Sequence, residues 1–211
     1  MHFAVWTVSA VNWHNGFTNY FIIKMTIEFN IPTNLTLLRI ALIPLLTVIF
    51  YLPWTYSNLA CTLIFVFAGF TDWLDGYLAR KMQLETPFGA FLDPVADKLM
   101  VAMVLVLIVQ QQASPYLAIP AAVIIGREIT IASLREWMAE IGQRAHVKVS
   151  QLGKWKTTAQ MLAIGMLLYR DDLLGVPINY CGYGLLYIAA ILTLWSMVNY
   201  LSAALAVLTA K

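Results

Sequence analysis

Hydrophobic residues along this chain come in long blocks rather than in alternation. Six blocks, at residues 35–52, 59–78, 88–109, 116–138, 152–169 and 183–208, approach the ~20 apolar residues a helix needs to cross a ~30 Å hydrocarbon layer. The breaks carry helix-ending or helix-starting chemistry. Pro53 closes the first block, Glu85-Thr86-Pro87 precedes the third, Ser114-Pro115 starts the fourth, and a polar run from Asp171 to Pro177 divides the last two. Proline suits a first helical turn and not an interior one. Lipid-exposed spans must satisfy their backbone polar groups internally, so all six are predicted to be helices.

Composition agrees. The 211 residues are 61% hydrophobic and 11% charged, whereas a soluble domain carries about a quarter charged residues. An all-α, polytopic membrane protein with six transmembrane helices is expected. Thirteen Lys+Arg against eleven Asp+Glu leave a formal charge of +2, which makes no case for a nucleic-acid partner. Two cysteines, Cys61 and Cys181, cannot form a disulfide framework; a single bridge between them is the one pairing open.

Orientation follows from the bases. With the N-terminus inside, Lys24, Arg80, Lys81, Arg144, Lys148, Lys154, Lys156 and Lys211 fall on or near one side, and the opposite loops hold Arg170. That asymmetry places both termini in the cytoplasm. The first 24 residues fit less well. Residues 1–23 contain no Lys, Arg, Asp or Glu, so they lack the basic start of a signal peptide. They read as an N-terminal extension, from an upstream start or as an interfacial segment without catalytic duty. Residues 25–211 read as one domain, beginning at Met25.

The chemistry lies in the carboxylates. The second block ends in Asp72-Trp73-Leu74-Asp75-Gly76-Tyr77-Leu78-Ala79-Arg80, and the third begins Gly89-Ala90-Phe91-Leu92-Asp93-Pro94-Val95-Ala96-Asp97. Asp72 and Asp75 share one helix face, as do Asp93 and Asp97. The short link makes the two helices antiparallel neighbours, which can bring all four together roughly 9–12 Å inside the cytoplasmic helix ends. A lone mid-helix aspartate costs about 2.5–3.5 kcal/mol even on lenient insertion scales. Arg80 and Lys98 are too few to neutralise four. The set reads best as a site for two divalent cations, Mg²⁺ or Mn²⁺ by its oxygen chemistry, in a polar cavity opening on the cytoplasmic side. Blander readings stand for single residues. Asp93 before Pro94 also looks like a helix N-cap, Asp75-Gly76 like a turn, and Gly76 with Ala79 like small residues between packed helices.

Taken together these residues resemble the CDP-alcohol phosphatidyltransferases, whose motif is D-x2-D-G-x2-A-R-x8-G-x3-D-x3-D. Asp72, Asp75, Gly76, Ala79, Arg80, Gly89, Asp93 and Asp97 match it at every fixed position within 26 residues. Further likeness runs through residues 30–39, 88–98, 127–128, 134–140 and 153–160, and is closest to bacterial members that take glycerol 3-phosphate. The resemblance implies a six-helix, homodimeric fold in the bacterial inner membrane with its active site facing the cytoplasm. It also implies two metals on the four aspartates, and a CDP-diacylglycerol head group over Gly76, Ala79, Arg80 and Gly89. Asp97 would be the base that deprotonates the acceptor hydroxyl. Transfer to the sn-1 hydroxyl of glycerol 3-phosphate would yield phosphatidylglycerol phosphate and CMP.

The acceptor needs its own pocket. Thr36 and Arg39 share a face of the first helix, Arg127 lies about 16–18 Å into the fourth, Arg135 follows on that helix, and Lys154 and Lys156 open the fifth. Converging cations suit a phosphate monoester, and a guanidinium binds one bidentately. Arg39 and Lys154 could equally snorkel to the surface, and Arg127 could be paired with Glu128. Two rival classes remain at this level. An intramembrane prenyltransferase would carry two aspartate motifs far apart in the chain, and a divalent-cation transporter would continue its polar path to the outer face.

Overall fold

The computed structural model describes residues 4–12, 19–27, 30–82, 86–141, 151–173 and 175–209. Among these residues, six helices follow a pair of strands: α1 (Ile31–Tyr51), α2 (Ser57–Met82), α3 (Pro87–Gln112), α4 (Pro115–Glu140), α5 (Gln151–Tyr169) and α6 (Ile178–Thr209). Each predicted block lies inside one of them, save for the last residue of the first. Among the described residues, α1, α2, α4 and residues 178–202 of α6 are long and apolar enough to cross a membrane.

The N-terminal extension departs from the all-α expectation. β1 (Ala4–Asn12) pairs antiparallel with β2 (Asn19–Ile27), from Ala4 opposite Ile27 to Asn12 opposite Asn19. Both segments are rich in β-branched and aromatic residues, a composition that favours strands. β2 runs past Met25, so the strand pair ignores the boundary drawn there.

Local capping sets the helix starts. Asn30 accepts a hydrogen bond from the Thr33 backbone N–H at 3.1 Å and opens α1. Thr86 accepts from the Gly89 N–H at 3.0 Å and opens α3, with Pro87 in the first turn. Asp93 is therefore no N-cap; it stands inside α3 with Pro94 after it. Cys61 is buried, Cys181 is exposed, and both are free thiols.

Each helix buries one stripe, and most of these stripes change character partway along. On α1 it passes from Thr33, Thr36 and Arg39 to Leu42 and Leu46; on α2 it passes from Cys61, Phe65 and Ala68 to Thr71 and Asp75. On α5 Lys156 and Gln160 give way to Ala163, Ile164 and Leu167, and on α6 Leu186 and Ala190 give way to Thr193 and Ser196. Because consecutive helices run antiparallel, the polar segments meet at one end of the bundle. The other end is filled by Leu46, Phe65, Val104, Leu105, Ile108, Leu117, Ile164 and Leu186, each under 3% exposed. Large apolar residues such as Leu45, Val48, Leu63, Val66 and Phe67 cover the outside, which is the inverse of a water-soluble surface. On α2 an exposed row of Phe70, Trp73 and Tyr77 stands beside the aspartates, with the last two rings stacked at 5.9 Å. Aromatic residues of this kind belong at the membrane–water boundary.

Candidate active site

Three helices build the carboxylate cluster. Arg39 of α1 lies between the two aspartates of α2, with Nη1 2.8 Å from Asp72 Oδ1 and Nη2 2.5 Å from Asp75 Oδ2. Arg39 is 1% exposed and Asp75 3%; the Asp72 side chain remains half exposed. The Thr36 hydroxyl, one turn before Arg39, donates to Asp93 Oδ1 of α3 and lies 3.4 Å from Asp75 Oδ2. Thr36 and Arg39 were expected in the acceptor pocket. The structure places them on the carboxylates.

The donor set is all carboxylate and hydroxyl oxygen, which suits a hard divalent cation. It is not a preformed cage: among the described residues, no three His, Cys, Asp or Glu side chains are gathered tightly enough to hold a metal ion. Arg39 supplies the counter-charge that Asp72 and Asp75 require in this arrangement.

Two cavities flank the cluster. The first, about 290 Å³, is lined by Gly76, Ala79, Arg80, Gly89 and Asp93, together with Pro32, Thr33, Thr86 and Ala90. All four residues expected to hold the CDP-lipid are among them. Gly76 is informative. A Cβ built there would meet nothing closer than the Arg80 guanidinium, at 3.9 Å, so packing against a neighbouring helix does not demand glycine. The space it leaves belongs to the cavity. At Gly89 a Cβ would come within 3.0 Å of Thr86 Oγ1 and 3.4 Å of Thr33 Oγ1, so this glycine also makes room for the cap of α3.

The second cavity, about 530 Å³, lies among α3, α4, α5 and α6 and is lined by Asp97, Arg127, Glu128, Arg135, Lys156, Gln160, Ser196 and Tyr200, among others. Glu128 organises its bases: Oε1 accepts from Arg127 Nη1 at 2.9 Å and from Lys156 Nζ at 2.6 Å. Arg127 Nη2 donates to the Ser196 hydroxyl at 3.1 Å. The Tyr200 ring lies 5.9 Å from the Arg127 guanidinium and 5.5 Å from that of Arg135, within cation–π range. Arg127, Arg135 and Lys156 thus converge as expected, with Arg127 paired to Glu128 as well. The side chain of Lys154 lies outside the described residues.

Asp97 lines a different cavity from Asp93. It is exposed into the second cavity beside Glu128 and Lys98, and the charges of Asp72 and Arg39 also reach it. Asp93, one turn earlier on α3, lines the first. One helical turn therefore joins the two cavities. Sequence reasoning missed Gln160, Ser196 and Tyr200. The available signal was spacing: Gln160 follows Lys156 by four, and Thr193, Ser196 and Tyr200 share one face of an otherwise apolar α6.

Comparison with known proteins bears on the same residues. The profile of the CDP-alcohol phosphatidyltransferase family matches residues 29–199, which takes in the whole carboxylate cluster and the second cavity up to Ser196. A relative from Pectobacterium atrosepticum named CDP-diacylglycerol–glycerol-3-phosphate 3-phosphatidyltransferase is 56% identical over 177 residues, covering 84% of this chain and 96% of its own length. Proteins of the same name from Salmonella choleraesuis and Escherichia coli K12 are 54% identical over the same coverage. With the aspartate motif intact on two facing helices and the match running through nearly the whole helical bundle, the chain belongs to the CDP-alcohol phosphatidyltransferase family.

Proposed function

We propose that the protein transfers the phosphatidyl group of CDP-diacylglycerol to the sn-1 hydroxyl of glycerol 3-phosphate, releasing CMP and leaving phosphatidylglycerol phosphate. One observation carries the reading. A small-residue cavity and a cationic cavity abut across a single turn of α3, with Asp93 on one and Asp97 on the other. The first suits a flat base and diphosphate lying against helix backbone. The second suits a phosphate monoester that must present a hydroxyl to a carboxylate. The names of the 54–56% identical relatives specify the same donor and acceptor.

In this reading the lipid tails stay in the bilayer beside α2 while the CDP head enters above Gly76 and Ala79. Arg127, Arg135 and Lys156 hold the acceptor phosphate, and Glu128 keeps Arg127 and Lys156 in place. The acceptor oxygen attacks the lipid-bearing phosphorus, its proton passes to Asp97, and the bond from that phosphorus to the CMP oxygen breaks. Asp72, Asp75, Asp93 and Asp97 would hold two divalent cations, Mg²⁺ or Mn²⁺, whose role is to stabilise the charge of the diphosphate and of the departing CMP. Arg39 must then share or yield Asp72 and Asp75.

The membrane setting belongs to the same proposal: six spans in the bacterial inner membrane, with the polar end of the bundle at the cytoplasm. The bias of Lys and Arg between the loops supports that orientation. Homodimerisation is carried over from the family. The apolar end of the bundle core argues against an ion path, because a transporter needs polar groups on both sides of its site.

The test is CMP release by the purified protein in detergent with CDP-diacylglycerol, with and without Mg²⁺, offering glycerol 3-phosphate, serine, inositol or inositol phosphate. Metal-dependent release with glycerol 3-phosphate alone is expected. Release with a different acceptor would overturn the reading of the cationic cavity, and no release with any of the four would overturn the reaction.

A further inference from the structure

Among the described residues, two buried polar atoms of the cationic cavity have no hydrogen-bond partner, Arg127 Nε and Gln160 Oε1. Gln160 lines the cavity one turn beyond Lys156 on α5 and is 5% exposed. Buried carboxamides in native interiors are almost always paired, because an orphaned one forfeits its hydration without return. None of the cationic donors that line the cavity reaches Gln160 Oε1. Lys156 donates to Glu128, Arg127 donates through Nη1 to Glu128 and through Nη2 to Ser196 while its Nε–H stays unpartnered, and Arg135 donates to Tyr200.

The missing partner must be a donor, which narrows its chemistry. A phosphate dianion offers acceptor oxygens alone and belongs with the arginines and the lysine. The reacting hydroxyl belongs to Asp97. A further hydroxyl on the acceptor meets the requirement, since a hydroxyl both donates and accepts and so complements either end of a carboxamide. We propose that Gln160 is a specificity-determining residue, whose carboxamide binds a second, non-reacting hydroxyl of the acceptor. The cavity thereby selects polyol phosphates over alkyl phosphates with a single hydroxyl. In glycerol 3-phosphate that group is the sn-2 hydroxyl. The inference rests on the reaction proposed above and adds the group by which the acceptor is read.

A matched pair of acceptors tests it. 3-Hydroxypropyl phosphate keeps the phosphate and the reacting hydroxyl of glycerol 3-phosphate and lacks the middle one. The intact protein in detergent, with CDP-diacylglycerol and Mg²⁺, is expected to favour glycerol 3-phosphate in kcat/KM by roughly 10- to 100-fold, the weight of leaving one buried polar group unsatisfied. Gln160→Met, nearly equal in volume, should lower kcat/KM for glycerol 3-phosphate by a similar factor while moving that for 3-hydroxypropyl phosphate by less than about threefold. The KM for CDP-diacylglycerol should not change. A variant that loses both acceptors equally would show a structural role, and one that keeps the wild-type preference would show none; either overturns the proposal. Should Gln160→Met not fold, the wild-type ratio decides alone, because equal use of the two acceptors overturns it without any variant. Absence of wild-type turnover with glycerol 3-phosphate would remove the underlying reaction as well, whereas turnover without discrimination would remove this inference only.

Discussion

Arg39 Nη2 lies 2.5 Å from Asp75 Oδ2, and both side chains are almost wholly buried. One guanidinium from α1 therefore neutralises a carboxylate that α2 carries into the interior. Arg39→Gln leaves Asp75 without that partner, a loss of about 3–5 kcal/mol for a buried pair. A divalent cation can replace the missing charge. Thermal unfolding in detergent should show the variant well below the wild type without metal, and a larger upward shift on adding Mg²⁺ than the wild type shows. A variant no more sensitive to Mg²⁺ than the wild type would count against metal binding at these carboxylates.

Asp97 faces the cationic cavity, while Asp75 and Asp93 are held by Arg39 and Thr36. As the proton acceptor, Asp97→Asn should lower kcat by about 10²–10⁴-fold, the usual weight of a general base, while CDP-lipid binding survives in part. Equilibrium binding of the lipid and of Mn²⁺ checks the division of labour. If Asp97→Asn and Asp72→Asn lose metal to the same degree, Asp97 serves chiefly as a ligand.

Gly76 separates stability from function. Its Cβ position is open to the cavity, so Gly76→Ala should leave the fold as stable or up to about 1 kcal/mol more stable through helix propensity. The added methyl takes the space of the donor's head group. The KM for CDP-diacylglycerol should rise several-fold with that for glycerol 3-phosphate unchanged, and steady-state kinetics with each substrate varied in turn would show it.

The bases should show the opposite split. Arg135→Ala and Lys156→Met each remove a charge-assisted hydrogen bond worth about 1.5–3 kcal/mol, which predicts a roughly 10- to 100-fold rise in the glycerol 3-phosphate requirement and a much smaller change for CDP-diacylglycerol. The reverse ordering would mean that the two cavities have been assigned the wrong way round.

Much of this site is legible along one dimension. Asp72 with Asp75 and Asp93 with Asp97 announce themselves by helical spacing, and the cost of burying them leaves few uses beyond binding cations. Gly76, Ala79, Arg80 and Gly89 enter only through the family resemblance that the same stretch carries. What the one-dimensional pattern cannot resolve is which helix faces which. Depth along α1 sets Arg39 and Thr36 level with the whole polar end, so the choice between acceptor and carboxylates is made only by the packing of α1 on α2 and α3. Gln160, Ser196 and Tyr200 escape for another reason. Neutral polar residues cost little in a membrane helix and commonly serve helix contacts, so they stand out only when a cavity opens beside them. The pairing of Ala4–Asn12 with Asn19–Ile27 is missed because each strand is too short to register as a membrane span.

The apolar plug formed by Leu46, Phe65, Val104, Ile108, Ile164 and Leu186 has a consequence for the membrane as a whole. A charged head group made at the polar end has no passage through this bundle. Every lipid the protein makes therefore stays in the leaflet that held its donor, and because one two-chain lipid replaces another, each turnover changes that leaflet's composition and not its number of lipids. The opposite leaflet receives the product only through other machinery that moves lipid across, so what the reaction makes unequal between the two leaflets is head-group composition rather than area.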